Sequence, residues 1–257
     1  MKNRKLRIIA TTILSITMLF TISASATTYS SWKTTGTING YKYKYRAGLL
    51  DVSGGIQGRA HADVVKGTVP AKYIGGRSYI YNKKGALIAS SDWAYNKKSC
   101  AGIDFAGKTV SSSGSYYCIA KFKFKKKDGG YSGVYTSKST NYVALKSGKA
   151  VSNESSIIDN DEIRKVIDTI DKDYEGKTYG SGLNEFIDQA SPDMILAVGE
   201  NGETGYVSTN DLSLNNVKGQ VDGVVLARGE SFSRYIPVYS KSGQIIDKFL
   251  LFTECVE

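Results

Sequence analysis

Apolar and polar residues alternate with period two through much of the first 150 residues. Tyr41-Lys42-Tyr43-Lys44-Tyr45-Arg46 sets rings against cations, and Cys118-Ile119-Ala120-Lys121-Phe122-Lys123-Phe124-Lys125 repeats the pattern. Such alternation predicts half-buried strands with rings on one face and charges on the other. Lys127-Asp128-Gly129-Gly130 is a turn that returns through Tyr131–Thr136. A second hairpin is read in Ser78–Tyr81, the turn Asn82-Lys83-Lys84-Gly85, and Ala86–Ser90. Arg59 to Val65 is a further short strand. Six to eight strands with glycine-bearing turns and no helical window predict an antiparallel β-sandwich or barrel.

The period changes after residue 150. Ile163, Val166, Ile167 and Ile170 recur at helical spacing, with Asn160 or Asp161 as N-cap and acids in the first turn. A second helix is read from Leu183 to about Gln189. Met194–Gly199 and Thr204–Leu212 then read as strands, and Arg234–Tyr239 with Gln244–Phe252 as a closing hairpin. The chain as a whole is therefore expected to be mainly β, an N-terminal sandwich or barrel followed by a small α+β domain.

Charge sharpens the division. Residues 27–150 carry a net charge of +16 and residues 151–257 one of −10, and 13 of the 18 tyrosines precede the step. The step falls on the polar stretch Lys146–Glu154, which reads as a boundary between a basic domain, 27–150, and an acidic domain, 151–257. Residues 1–26 place four cations ahead of an apolar run and end in Ala24-Ser25-Ala26, the three parts of a secretory signal peptide. The run is short for a membrane span, and no second one follows. The expected location is outside the cell, secreted or wall-associated.

A strongly basic extracellular surface suits a polyanion. Lys42, Lys44, Arg46, Lys121, Lys123 and Lys125 are the binding residues this reading names, with teichoic acid or a similar cell-surface polymer as ligand. Two plainer readings stand beside it: lysines that only solvate the sheets, and an acidic half that docks on the basic half. Rings and cations on opposite strand faces make a nucleic-acid partner the less favoured one. A secreted antagonist of another cell or protein, and an enzyme with an unrecognised site, are the alternative functions.

Catalytic and metal chemistry find little support. A single histidine, His61, shares a strand face with Arg59 and Asp63, and reads as part of a polar surface rather than as a general base. No Gly-x-Ser-x-Gly, HExxH or P-loop segment occurs, so no catalytic residue, cofactor or metal is expected. Asp171-Lys172-Asp173-Tyr174-Glu175-Gly176 imitates the first half of an EF-hand loop, but Gly182 stands where the bidentate glutamate belongs. It reads as a polar helix–turn–helix. Three cysteines leave one over in an oxidising compartment. Cys100 and Cys118, both in the β-rich region, are the expected disulfide, and Cys255 is left at the C-terminus.

One stretch resembles a known module. Gly176–Ser181, Pro192–Ile195, Asn201-Gly202 with Gly205-Tyr206-Val207 and Asp211-Leu212, and Ile236–Tyr239 with Gly243 resemble a module of secreted and membrane-tethered Gram-positive proteins. The module also occurs attached to metallopeptidases of the beta-lactam-sensor type. The resemblance covers Gly176 to Phe249 and implies an extracellular setting, with no activity and no catalytic residue. Gly205-Tyr206-Val207 with Asp211-Leu212 is also similar to the end of bacterial Src-homology-3-like wall-binding domains, where Gly-Trp-Val is usual. The basic half has only a distant likeness to lactococcin-type bacteriocins.

Overall fold

The computed structural model describes residues 27–154, 160–168, 173–187, 190–213 and 222–256. The expected signal peptide lies outside the described residues, as do Ile170, Asp171, Lys172 and the last two residues, 188–189, of the second expected helix.

The chain is mainly β. Two short strands, β1 (Thr28–Tyr29) and β2 (Lys33–Thr34), lead into the long hairpin of β3 (Tyr43–Val52) and β4 (Gly55–Val64). There follow β5 (Ile74–Asn82), β6 (Leu87–Ser90), β7 (Ala94–Asn96), β8 (Gly102–Val110), β9 (Gly114–Phe124) and the short β10 (Tyr135–Thr136). The hairpin β11 (Tyr142–Lys146) and β12 (Lys149–Glu154) precedes helix α1 (Asn160–Asp168). The rest comprises β13 (Asp173–Tyr174), β14 (Lys177–Gly180), a 3-10 helix (Gly182–Ile187), β15 (Met194–Val198), β16 (Thr204–Ser208), β17 (Val224–Leu226), β18 (Ser231–Tyr239) and β19 (Ile245–Cys255).

One antiparallel sheet sets β1 and β2 on β3, β3 on β4 and β4 on β8. The facing sheet runs through β5, β9, β11 and β12, with β6 and β7 on the free side of β5. The alternation read in the sequence fills the space between them. Tyr43, Tyr45, Ala47 and Leu49 of β3 point inward, as do Cys118, Ala120, Phe122 and Phe124 of β9. Tyr43 stacks on Phe124 with centroids 4.1 Å apart, and Tyr45 meets Phe122 at 5.2 Å. Rings from facing sheets interdigitating in this way are the usual core of a sandwich.

The other face of β5 and β9 is covered too. Tyr79, Tyr81, Tyr117 and Ile119 pack against Ile163 and Ile167 of α1 and against Leu183 and Ile187 of the 3-10 helix. Beyond them, β6, β15, β16, β18 and β19 close a five-stranded ring: β6 pairs with β15, β15 with β16, β16 with β18, β18 with β19, and β19 returns to β6. Leu87, Ala197, Val207, Val238, Phe249 and Leu251 are buried with this barrel. Because β6 belongs to both the sandwich and the barrel, and β19 also pairs with β8, strands from before and after residue 150 are interleaved.

The polar stretch at the charge step is itself a hairpin. β11 pairs with β12 around Ser147 (φ 49°) and Gly148 (φ 72°), two successive left-handed residues that suit a tight turn. The calcium look-alike is also a hairpin: Asp173 and Tyr174 pair with Thr178 and Lys177 around Glu175 (φ 52°) and Gly176 (φ 75°). Gly176 serves a two-residue β-turn there, which corrects the helix–turn–helix reading.

The expected Cys100–Cys118 disulfide is corrected as well: both are thiols. Cys118 is buried mid-strand on β9, while Cys100 pairs with Val69 at the end of the sandwich where Tyr43 and Phe124 lie. Six residues of β9 from Cys118 to that end span roughly 20 Å, far beyond disulfide reach.

Candidate functional site

The six cations named from the sequence fall on two opposite faces. Lys44 and Arg46 lie on the outer face of β3, with Lys42 exposed just ahead of it. Lys44 pairs with Asp63 at 3.1 Å. The Arg46 guanidinium sits 3.9 Å from the Tyr29 ring and 4.2 Å from the Trp32 ring, so the N-terminal strands clasp it. Strand register then sets Arg46 beside His61, and His61 beside Asp104. His61 Nε2 lies 3.3 Å from Asp63 and Nδ1 3.9 Å from Asp104, whose other neighbour is Arg59 at 3.5 Å. Burial depresses the imidazole pKa and Arg46 adds to that, but Asp104 and Asp63 outweigh both and raise it above its ordinary value. None of these contacts sets His61 against a nucleophile.

Lys121, Lys123 and Lys125 point from the other face of β9, toward the second half of the chain. Lys121 is 8% exposed, paired with Glu185 and flanked by Tyr79 and Phe186. Burial, with the charges of Arg77 and Lys123 adding to it, pushes its amine down to about 7. Lys123 pairs with Asp222 and lies over Trp93 at 4.4 Å. Farther out, Lys108 pairs with Glu200, and Lys97 with Glu230 at 2.8 Å. Four lysines of the basic half are thus held by four acids of the acidic half. Lys125 lies past this seam, 4.8 Å over the Tyr131 ring.

Sequence reasoning missed where the remaining cations gather. Tyr43 registers with Val64, Asp63 with Gly102, and Ile74 with Phe124. The loops 37–42, 65–73, 97–101 and 125–131 therefore emerge at one end of the sandwich. Asn96 ties two of these loops to the start of β5: its Oδ1 accepts the Ile74 N–H, and its Nδ2 donates to the carbonyls of Pro70 and Lys98. Those loops carry Lys42, Lys66, Lys72, Lys97, Lys98, Lys125, Lys126 and Lys127, with Asp128 their single acid. Asp128 is taken by Lys126. No periodicity marks these residues, because their common location comes from the ends of non-adjacent strands.

A cleft of about 590 Å³ lies at the mouth of the barrel. Many residues that carry the resemblance to the Gram-positive module line it, among them Lys177, Tyr179, Asp193, Asp211 and Tyr239. Thr178 donates to Asp193 from its N–H at 2.9 Å and from its hydroxyl at 2.8 Å, and both bonds hold that carboxyl below its ordinary pKa.

No helix of the described residues is long and apolar enough to cross a membrane, and no cluster of three or more metal-ligating side chains occurs among them. Comparisons with family models, with curated proteins and with solved structures return no match.

Proposed function

We propose that this is a non-enzymatic binding protein that works outside the cell and associates through its basic sandwich with an anionic polymer of the cell surface, teichoic acid or a similar chain. One observation carries the reading. The acidic half takes up Lys108, Lys121 and Lys123 of the flank and Lys97 of the loop end, whereas Lys42, Lys66, Lys72, Lys98, Lys125 and Lys127, at that end, make no ion pair among the described residues, with Glu230 near Lys98 as the one acid of the second half whose charge reaches them. The charge step in the sequence is therefore partly spent inside the molecule, and what is left over is directional. A one-sided cation excess attracts a polyanion at long range and releases its counterions on contact. The leader-like segment and the resemblance of residues 176–249 support an extracellular setting.

The test is sedimentation of the leader-free protein with Gram-positive walls, intact or stripped of teichoic acid, from about 50 to about 500 mM salt, across which screening shortens several-fold. Binding that needs the polymer and fades with salt is the expected result. Failure to sediment with either wall at the lowest salt would remove the proposal.

A further inference from the structure

We infer that the loop end of the sandwich is the polymer site, built from Lys42, Lys66, Lys72, Lys98, Lys125 and Lys127, and that its ligand is a phosphodiester chain. This rests on the reading just given and goes further by assigning the residues and the chemical class. Four of the six cations are absent from the set suggested by strand alternation.

Three observations support it. The first is preorganisation. Asn96 is buried and its side chain makes three hydrogen bonds to the loops and to the start of β5. Lys72 holds a left-handed backbone (φ 63°), a conformation that favours glycine or asparagine. Its N–H donates to the Asn96 carbonyl at 2.7 Å and its carbonyl accepts the Tyr131 hydroxyl at 2.8 Å. A lysine kept in a strained turn, with its backbone bonded on both sides, is a feature that binding explains and solubility alone does not.

The second is the kind of cation. All eight basic residues of the four loops are lysines and none is arginine. The planar arginine fork suits bidentate recognition of one fixed carboxylate or phosphate, whereas separate ammonium points suit a flexible chain of single, spaced charges such as the phosphates of a phosphodiester. The third is the state of the rings. Tyr41 and Tyr73 meet edge to face at 5.9 Å, and Tyr131 packs on Tyr95 at 4.8 Å beneath Lys125. The rings are occupied by one another, so none of these three is a vacant stacking platform of the kind that single-stranded nucleic acids use. A chain read only through its phosphates remains.

The opposite end of the sandwich supplies an internal control. Lys84, Lys146 and Lys149 are exposed there, near the turns that follow β5 and join β11 to β12. The experiment measures binding of the leader-free full chain to synthetic poly(glycerol phosphate), to poly-L-glutamate and to oligodeoxythymidylate of matched charge, over a salt series. Three proteins are compared: wild type, a loop-end variant (Lys66→Gln, Lys72→Gln, Lys98→Gln, Lys127→Gln) and an opposite-end variant (Lys84→Gln, Lys146→Gln, Lys149→Gln). All substituted side chains are exposed, and thermal unfolding confirms that each variant folds.

The loop-end variant should lose about tenfold or more in affinity for poly(glycerol phosphate), and its log–log salt slope should fall by about 3, near 0.7 for each lost phosphate contact on a flexible strand. The opposite-end variant should stay close to wild type. Equal losses in the two variants, or a larger loss at the opposite end, overturn the site while leaving the surface-binding reading intact. Equal or tighter binding of poly-L-glutamate overturns the phosphodiester assignment, and tighter binding of the oligonucleotide than of poly(glycerol phosphate) would show that bases are read and overturns a site that contacts phosphates alone. A wild type that binds none of the three at low salt overturns the function reading and the site with it.

Discussion

The indole of Trp32 meets the imidazole of His61 edge to face, with ring centroids 5.3 Å apart. Trp32 is 38% exposed and belongs to the N-terminal segment, while His61 lies on β4 between Arg46 and Asp104 in register. The contact joins that segment to a row of charges: Lys44 and Arg46 from β3, Arg59 and Asp63 from β4, and Asp104 from β8.

This arrangement gives stability a pH dependence. The folded-state pKa of His61 is raised, so its protonated form favours the native state. That contribution is fully present below the unfolded imidazole pKa of about 6.5 and is lost as pH rises through the higher folded value. Urea unfolding midpoints of wild type and His61→Gln between about pH 5 and 8 should differ in slope, with wild type losing relative stability toward the alkaline side. Parallel profiles would show that the imidazole has no such effect.

Arg234 and Asp92 reverse the general charge pattern, the cation coming from the acidic half and the acid from the basic half. Asp92 is 1% exposed and accepts from Arg234 Nη2 at 2.7 Å and Nε at 2.9 Å. Removing the guanidinium leaves a buried carboxylate without its ion pair. Arg234→Met should cost about 3–5 kcal/mol in urea unfolding, a much larger effect than that of Lys97→Met, whose exposed, salt-screened pair with Glu230 should leave stability nearly unchanged.

Lys121 offers the complementary substitution. Lys121→Met keeps most of the volume among Tyr79, Phe186 and Ile119 and frees Glu185, itself about a third exposed, to turn toward water. It should change stability by about 1 kcal/mol or less, whereas Lys121→Glu should cost about 3 kcal/mol or more by setting two carboxylates together in a desolvated place. Chemical denaturation of both variants decides it, and a severe loss in Lys121→Met would mean that the ion pair itself holds the seam.

The sandwich should not stand alone. Residues 27–154 expressed without the remainder would expose Tyr79, Tyr81, Tyr117 and Ile119 and lose the strands that pair with β6 and β8. Size-exclusion chromatography and denaturant unfolding should show association or a broad transition for the fragment, and one cooperative transition for the whole chain. A monomeric, sharply unfolding fragment would show the barrel to be dispensable.

The cysteines predict indifference to reductant. Cys118 is buried, and burial pushes its thiol up to about 12, so thiolate chemistry is suppressed there. The melting temperature should be the same with and without dithiothreitol, and Cys118 should react with Ellman's reagent only after denaturation. A drop in melting temperature on reduction would restore the disulfide.

The period-two pattern made much of this architecture legible. Tyr43, Tyr45, Phe122 and Phe124 point into the sandwich because alternation sends successive side chains to opposite faces, and the hairpins at 78–90 and 234–252 follow from their turns. The same rule misled about exposure. It puts Lys121 and Lys123 opposite Phe122 and Phe124, but it says nothing of what lies beyond the sheet. Spacing likewise placed Cys100 near Cys118 in the chain, where the strand between them separates them in space.

Local periodicity and composition thus fixed the β class, the inward and outward faces of the alternating strands such as β3 and β9, and the sign of charge in each half. Tertiary structure alone decided which charges cancel and which remain. The β6–β15, β7–β17 and β18–β19 pairings and the 3-10 helix packed on β5 and β9 set Glu200, Asp222, Glu230 and Glu185 against lysines far away in the chain, and strand ends with no sequence adjacency gather six other lysines into one surface. Those outcomes depend on long-range register, which no short window of residues encodes.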